Sequence, residues 1–207
     1  VMMFSGVFLQ LTRSLTSARR IRAVLEEQPA LATPADPVAA VADGSIDFAD
    51  VSFKYSATAA RDALSHVTLH IPAGATVGII GGTGAAKTTL VQLIPRLYDA
   101  TSGTVKVGGQ DVRRYSLAAL RDAVGIVLQK NLLFSGTIRD NLRWGDPNAD
   151  DETLWAACRA ACADEFLERM PDGLDTDMGQ GGVNVSGGQK QRLCIARALA
   201  VQPEVLL

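Results

Sequence analysis

The most constraining feature of this chain is a nine-residue run, Gly81-Gly82-Thr83-Gly84-Ala85-Ala86-Lys87-Thr88-Thr89, set between a wholly apolar stretch at 77–80 and a helical pattern from about 87 to 98. A glycine-rich turn between a buried strand and a helix is what a phosphate-binding loop requires. Glycines let backbone N–H groups turn inward around phosphate oxygens, and the helix start adds the positive end of its dipole. Lys87 supplies a mobile charge and the Thr88 hydroxyl can coordinate Mg²⁺. The strict spacing expects glycine immediately before the lysine, and this chain has Ala86 there. A Cβ at that position strains a backbone that prefers glycine conformations, so weakened nucleotide affinity is expected.

The rest of the chain fits an α/β reading. Ile46 and Phe48, then Val51, Phe53 and Tyr55, and later Val67, Leu69 and Ile71, alternate as half-buried antiparallel strands do. Residues 77–80 and 124–128 read as buried strands, while 151–170 and 188–200 read as helices. An antiparallel subdomain, an α/β core and a helical insert are therefore all expected. Ahead of them, a helix from about 8 to 27 leads into an Ala/Pro-rich stretch with Pro29, Pro34 and Pro37, then Gly44, which reads as a linker.

Residues 1–11 are almost wholly apolar but too few to span a bilayer, which takes about 20. The basic residues Arg13, Arg19, Arg20 and Arg22 follow them, an order that suits the cytoplasmic end of a membrane helix and not a signal peptide. A buried amphipathic helix with Leu11, Leu15, Ile21 and Leu25 on its apolar side is the other reading. The apolar ending after Pro203 reads as the start of a buried strand, so both ends are expected to be cuts in a longer chain.

With 207 residues, 47% hydrophobic, and a formal net charge of −2, the chain can bury a core and shows no basic stripe for nucleic acid. Its cysteines, Cys158, Cys162 and Cys194, make no disulfide framework, which fits a reducing compartment. Cys158 and Cys162 are one helical turn apart; a metal pair is conceivable, but the alanines around them favour close helix packing.

Downstream, Val185-Ser186-Gly187-Gly188-Gln189-Lys190-Gln191-Arg192 offers Ser186 as an N-cap and two glycines that leave first-turn N–H groups open to an anion. Two glycines in a first turn sacrifice helix stability, so something other than stability favours them. This string resembles the LSGGQ signature of ABC ATPases, with Val185 in place of leucine. The resemblance extends to Tyr55 as the A-loop aromatic that stacks on adenine, and to Gln129 as the Q-loop glutamine that contacts Mg²⁺ and the attacking water. The stretch Leu133-Phe134-Ser135-Gly136-Thr137-Ile138 with Asn141-Leu142 is similar to ABC exporters in particular, as is the segment 14–27, which resembles the tail of their last transmembrane helix. Residues 175–182 resemble the exporter x-loop, with Gln180 where a glutamate is common, which removes the charge needed for an ion pair to a coupling helix.

The resemblance implies an α/β fold: the P-loop NTPase core of an ABC nucleotide-binding domain with an antiparallel β subdomain and a helical subdomain, truncated at the C-terminus. It implies an end of the last membrane helix at 1–27, a linker at 28–44 and an incomplete ATP-binding domain at 45–207. In the family two such domains close head to tail. Tyr55, Gly81, Gly82, Thr83, Gly84, Ala85, Ala86, Lys87, Thr88, Thr89 and Gln129 would then bind one MgATP, with Thr88 and Gln129 on the metal and Lys87 and Gln129 serving hydrolysis. Ser186, Gly187, Gly188 and Gln189 would cap the γ-phosphate of the partner's ATP. The family's metal-holding and water-activating carboxylates follow the strand beginning at Val205, so this stretch alone is expected to bind nucleotide without turning it over. His66 and His70 precede the phosphate loop and are expected on the sheet surface. The implied protein sits in the cell membrane with this domain on the cytoplasmic side, partnered by a second ABC half and its own membrane domain. The alternatives are a degenerate regulatory half of a heterodimer, suggested by Ala86 and Gln180, and a soluble ABC ATPase without a transport role.

Overall fold

The computed structural model describes residues 2–207, with side chains described from residue 6 onward. It divides into two compact units, Val1–Ala32 and Thr33–Leu207. The first is helix α1 (Met2–Leu25), starting earlier than the sequence pattern suggested and exposed from residue 6 to its end. Among the described residues no helix is long and apolar enough to cross a membrane.

The second unit opens by docking its own leading segment. Val38 donates to the Arg114 carbonyl at 2.9 Å and accepts from Ser116 N at 3.1 Å, so part of the expected linker belongs to the folded body. The antiparallel sheet has the order β2-β1-β3-β4, formed by β1 (Ile46–Phe53), β2 (Leu64–Ile71), β3 (Ser102–Val107) and β4 (Gln110–Asp111). In β1 the apolar period slips from two to three between Phe48 and Val51, and a β-bulge occupies that slip, with Asp50 at φ 50°. Gly103 faces the bulge, and a Cβ there would lie 2.3 Å from the Asp50 carbonyl oxygen. Only glycine permits that approach. His70 and His66 lie exposed on the sheet, where Nδ1 of each meets Asp47 at 2.6 Å and Asp50 at 2.8 Å respectively.

Phe48, Val51, Val105, Val107 and Tyr115 form one core together with Leu93 of α2 (Lys87–Leu93), Leu120 of α3 (Leu117–Ala123), Val124 of β5 (Val124–Gly125) and Val205 of β6 (Val205–Leu206). A second core joins Leu133 to Ile138 and Leu142 of α4 (Ile138–Arg143), Leu154 and Cys158 of α5 (Asp151–Ala160), Leu167 of α6 (Asp164–Leu167), Met178, and Leu193 and Cys194 of α7 (Gly187–Ala200). Burial pushes the Cys158 thiol up to about 12, so it stays neutral, while Cys162 lies at the surface; the two act separately, one as packing.

Four sequence expectations change. Residues 77–80 belong to neither sheet, and Ile80 is 98% exposed. An all-apolar strand is stable only with ladder partners beside it and cover on both faces, and among the described residues nothing supplies them. The strand at 124–128 pairs in parallel with β6 only at Val124 and Gly125, although Leu207 N→Gly125 O and Val127 N→Leu207 O, each 2.8 Å, extend the pairing. The helix expected over 151–170 is two helices. Ala163 N donates to Cys158 O at 2.8 Å and Cys162 N to Arg159 O at 3.0 Å, with Cys162 at φ 53°: a Schellman closure on a non-glycine residue. Arg96 at φ 52° ends α2 the same way, short of the expected position 98.

Candidate functional site

The glycine-rich loop occupies the turn into α2. Gly81, Gly82, Thr83, Gly84 and Ala85 are exposed, and nothing lies within 4 Å of where a Cβ on Gly82 or Gly84 would point. The space over the loop is open enough for phosphates. Lys87 folds back over it, its Nζ donating to the carbonyls of Gly81 at 2.7 Å and Gly82 at 2.8 Å. These are exchangeable contacts, because a triphosphate is a stronger acceptor than a neutral carbonyl.

Ala86 is the N-cap of α2, with φ 54° and ψ 23° and no side-chain cap bond. The alanine therefore holds the left-handed conformation that glycine adopts freely, at a cost of roughly 1–2 kcal/mol. That strain favours other loop shapes and lowers the fraction ready for phosphate. Ala86→Gly is expected to tighten MgATP binding about fivefold by removing roughly 1 kcal/mol of strain. Folding stability should move little, since glycine's greater freedom in the unfolded chain offsets the relief. Equal affinities by calorimetric titration would retire the idea.

Tyr55 and the loop share a cavity of about 420 Å³ lined by Tyr55, Asp62, Ala63 and 84–89. Tyr55 is 57% exposed. Phe53 and Tyr98 meet it edge-on at 4.8 and 5.3 Å between centroids, and its hydroxyl lies 2.8 Å from Thr89 Oγ1. Thr88 is exposed, but Thr89 is buried and its hydroxyl faces the tyrosine. Asp62, which sequence reasoning missed, is placed at this cavity by an ion pair with Lys54 at 3.2 Å. It sits in an irregular turn that no local pattern marks as functional.

A second cavity, of about 680 Å³, brings Lys87, Thr88 and Gln129 together with Gln92 and Gln191. The Thr88 hydroxyl and Gln129 amide oxygen are hard, uncharged donors of the kind Mg²⁺ accepts beside phosphate oxygens, so these residues fit the metal. No carboxylate lines this cavity.

Residues 186–189 line neither cavity. They begin α7 with a reciprocal capping box: Gln189 N donates to Ser186 Oγ at 3.3 Å and Ser186 N to Gln189 Oε1 at 2.8 Å. Ser186, Gly187 and Gly188 are exposed, and a Cβ on either glycine would meet nothing within 4 Å. The helix start is thus ordered from within and bare on the outside.

Asn141 explains the stretch around Phe134. Its buried amide accepts from Phe134 N at 2.7 Å and donates to the carbonyls of Phe134 and Thr137, both at 2.9 Å. Thr137 then caps α4 through a capping box with Asp140, whose carboxyl is held below the usual range by hydrogen bonds from Thr137. Residues 175–178 are tied to the same stretch by Met178 N→Gly136 O at 2.9 Å and by Arg139–Asp175 at 2.8 Å, and Arg139 lowers the pKa of Asp175. Gln180 stays exposed between Gly179 and Gly181, both at positive φ. The rings of Phe134 and Trp144 stack at 4.3 Å, and the two residues are 42% and 64% exposed.

The sequence profile of the ABC transporter family matches residues 64–207, which hold the phosphate loop, Gln129 and the exposed start of α7. The chain belongs to the ABC transporter family. This ABC transporter chain is 39% identical over 203 residues to a multidrug efflux ATP-binding/permease protein of Mycobacterium bovis, covering 98% of the chain and 17% of that relative. It is 38% identical over 204 residues to an ATP-dependent lipid A-core flippase of Desulfotalea psychrophila, covering 98% and 35%. A solved structure of a bacterial Atm1-family ABC exporter with ATP bound matches with a TM-score of 0.86 and 33% identity over 99% of the chain and 36% of that structure's chain. The fold is that of an ABC nucleotide-binding domain, and these relatives support the exporter reading over a soluble or regulatory one. The chain spans between about a sixth and about a third of the length of these relatives.

Proposed function

We propose that this chain binds MgATP at one half of a composite site and drives an ABC exporter whose membrane domain precedes it. The observation that carries this reading is the convergence of Tyr55 with the loop on one cavity and of Lys87, Thr88 and Gln129 on the next. Adenine stacks on Tyr55, and the loop's N–H groups with Lys87 hold the phosphates. Thr88 and Gln129 would hold Mg²⁺, which would supply neutralisation of phosphate charge. Ser186, Gly187, Gly188 and Gln189 cap the γ-phosphate of an ATP on a second ABC half. Because the γ-phosphate joins both chains, it favours the closed pair, and its loss releases that preference. The cavity that joins Lys87, Thr88 and Gln129 has no acidic side chain in its lining, and Asp62 in the neighbouring cavity is engaged by Lys54; the family resemblance puts the water-activating carboxylates after the strand beginning at Val205, so this stretch alone is read as binding nucleotide without hydrolysing it. Helix α1 is read as the cytoplasmic end of the last membrane helix, and the exposed Phe134–Trp144 pair as surface offered to the membrane domain.

The composite site makes a direct test. The whole protein, reconstituted in vesicles, should hydrolyse MgATP, whereas the separate 1–207 chain should bind MgATP with no turnover. Hydrolysis by the separate chain at the whole protein's rate would refute the placing of water activation outside 1–207.

A further inference from the structure

We infer that Gly44 is a positioning residue for hydrolysis, acting by letting the segment ahead of β1 lie directly against the start of β6. A Cβ on Gly44 would lie 2.4 Å from the Glu204 carbonyl oxygen, 3.3 Å from the Glu204 carbonyl carbon and 3.6 Å from Val205 Cγ2. Its φ is outside the left-handed region, so what requires glycine here is the close approach and not a turn. The two sides of that approach are held unequally. On the Gly44 side, Asp43 Oδ1 accepts from Ser45 N at 2.8 Å, Gly108 N donates to the Ser45 carbonyl at 2.9 Å, and a Cβ on Gly108 would already lie 3.0 Å from Ala42 N. Two residues on, Ile46 is paired on both sides, with Ile71 of β2 and Val107 of β3. By contrast β6 has two residues and, among the described residues, one neighbour, β5. A side chain at 44 would need about 1 Å to reach an ordinary contact of about 3.5 Å, and β6 is the side that yields. Leu206 and Leu207 line the cavity that holds Lys87, Thr88 and Gln129, so a displaced β6 delivers whatever follows it to the wrong place beside that cavity. Residues 42–45 themselves line neither that cavity nor the one at Tyr55, which leaves the phosphate and base contacts in place.

The inference rests on the reading that water activation comes from groups after β6, and the test separates the two. Gly44→Ala and Gly44→Val are made in the whole protein and read for steady-state MgATP hydrolysis, for MgATP affinity and stoichiometry by calorimetric titration, and for melting temperature. Turnover is counted per nucleotide-binding molecule, well below each melting temperature, so that an unfolded fraction does not enter the rate. Because a misplacement of about 1 Å costs up to about a hundredfold, kcat should fall about tenfold in Gly44→Ala and about a hundredfold in Gly44→Val, with MgATP affinity within about twofold of wild type. Gly44→Ala adds a single methyl group, so it stands even if Gly44→Val fails to fold. Wild-type kcat in Gly44→Ala overturns the positioning role alone. A lowered melting temperature or stoichiometry with unchanged kcat per binding molecule also overturns it, by leaving Gly44 a purely structural part. Loss of MgATP affinity in step with kcat overturns it too, by placing the effect on nucleotide binding. A wild-type whole protein that binds MgATP and does not hydrolyse it defeats the hydrolytic reading, and the inference falls with it.

Discussion

Lys87→Ala is expected to weaken MgATP binding by about a hundredfold while leaving the fold unchanged. The lysine's present partners are the Gly81 and Gly82 carbonyls, which are exposed and can turn to water when it goes. A half-buried side chain with such partners contributes within about 0.5 kcal/mol to stability. Against phosphate the balance differs, because a charged donor contributes about 1.5–3 kcal/mol per hydrogen bond and nothing else in either cavity can replace it. Arg is absent from both linings, and Lys54 is engaged by Asp62. Calorimetric titration with MgATP and a thermal melt measure both halves of the statement. Affinity within about threefold of wild type would place the triphosphate elsewhere, since a factor of three is only about 0.65 kcal/mol.

Gly187→Asp is expected to leave the fold and the chain's own nucleotide affinity intact while lowering ATP hydrolysis by the whole protein at least about a hundredfold. Position 187 is the first residue of α7, with open space where a Cβ would go. A carboxylate in a first helical turn complements the dipole and stabilises by about 0.3–1 kcal/mol. The substitution is therefore favourable for the isolated chain. It becomes unfavourable only when a second ABC half presents a γ-phosphate there, where two like charges about 4 Å apart repel by about 4 kcal/mol near a protein surface. Steady-state hydrolysis, MgATP affinity and melting temperature, read on one preparation, separate these contributions. Hydrolysis at the wild-type rate would show that this helix start meets no nucleotide.

How much of this was legible in the sequence depends on whether the signal was local. The bulge in β1 was written in the slip from Phe48 to Val51, and the start of α7 in the order of Ser186, Gly187, Gly188 and Gln189. Ala86 announced its strain because loop chemistry at that position is specific to glycine. Residues 77–80 misled, because an apolar run reports a wish to be buried and not the partners that satisfy it. The break between α5 and α6 was hidden because Cys162 takes a left-handed conformation usually given to glycine or asparagine. What holds it there is remote: Arg192 donates to the Cys162 carbonyl at 2.7 Å. The Thr89–Tyr55 bond joins residues 34 apart, and the Lys54–Asp62 pair lies in a turn with no motif. Such contacts follow from the fold and not from any local pattern.

That same Arg192 has a mechanical meaning. It sits in α7 one and a half turns beyond the exposed glycines, pairs with Glu165 at 3.5 Å and covers the Phe166 ring at 5.3 Å as well as holding Cys162. A single guanidinium thus clamps α7 to the α5–α6 corner across apolar, ionic and backbone contacts at once. Through this one side chain the corner and the helix that starts at Gly187 are held to each other.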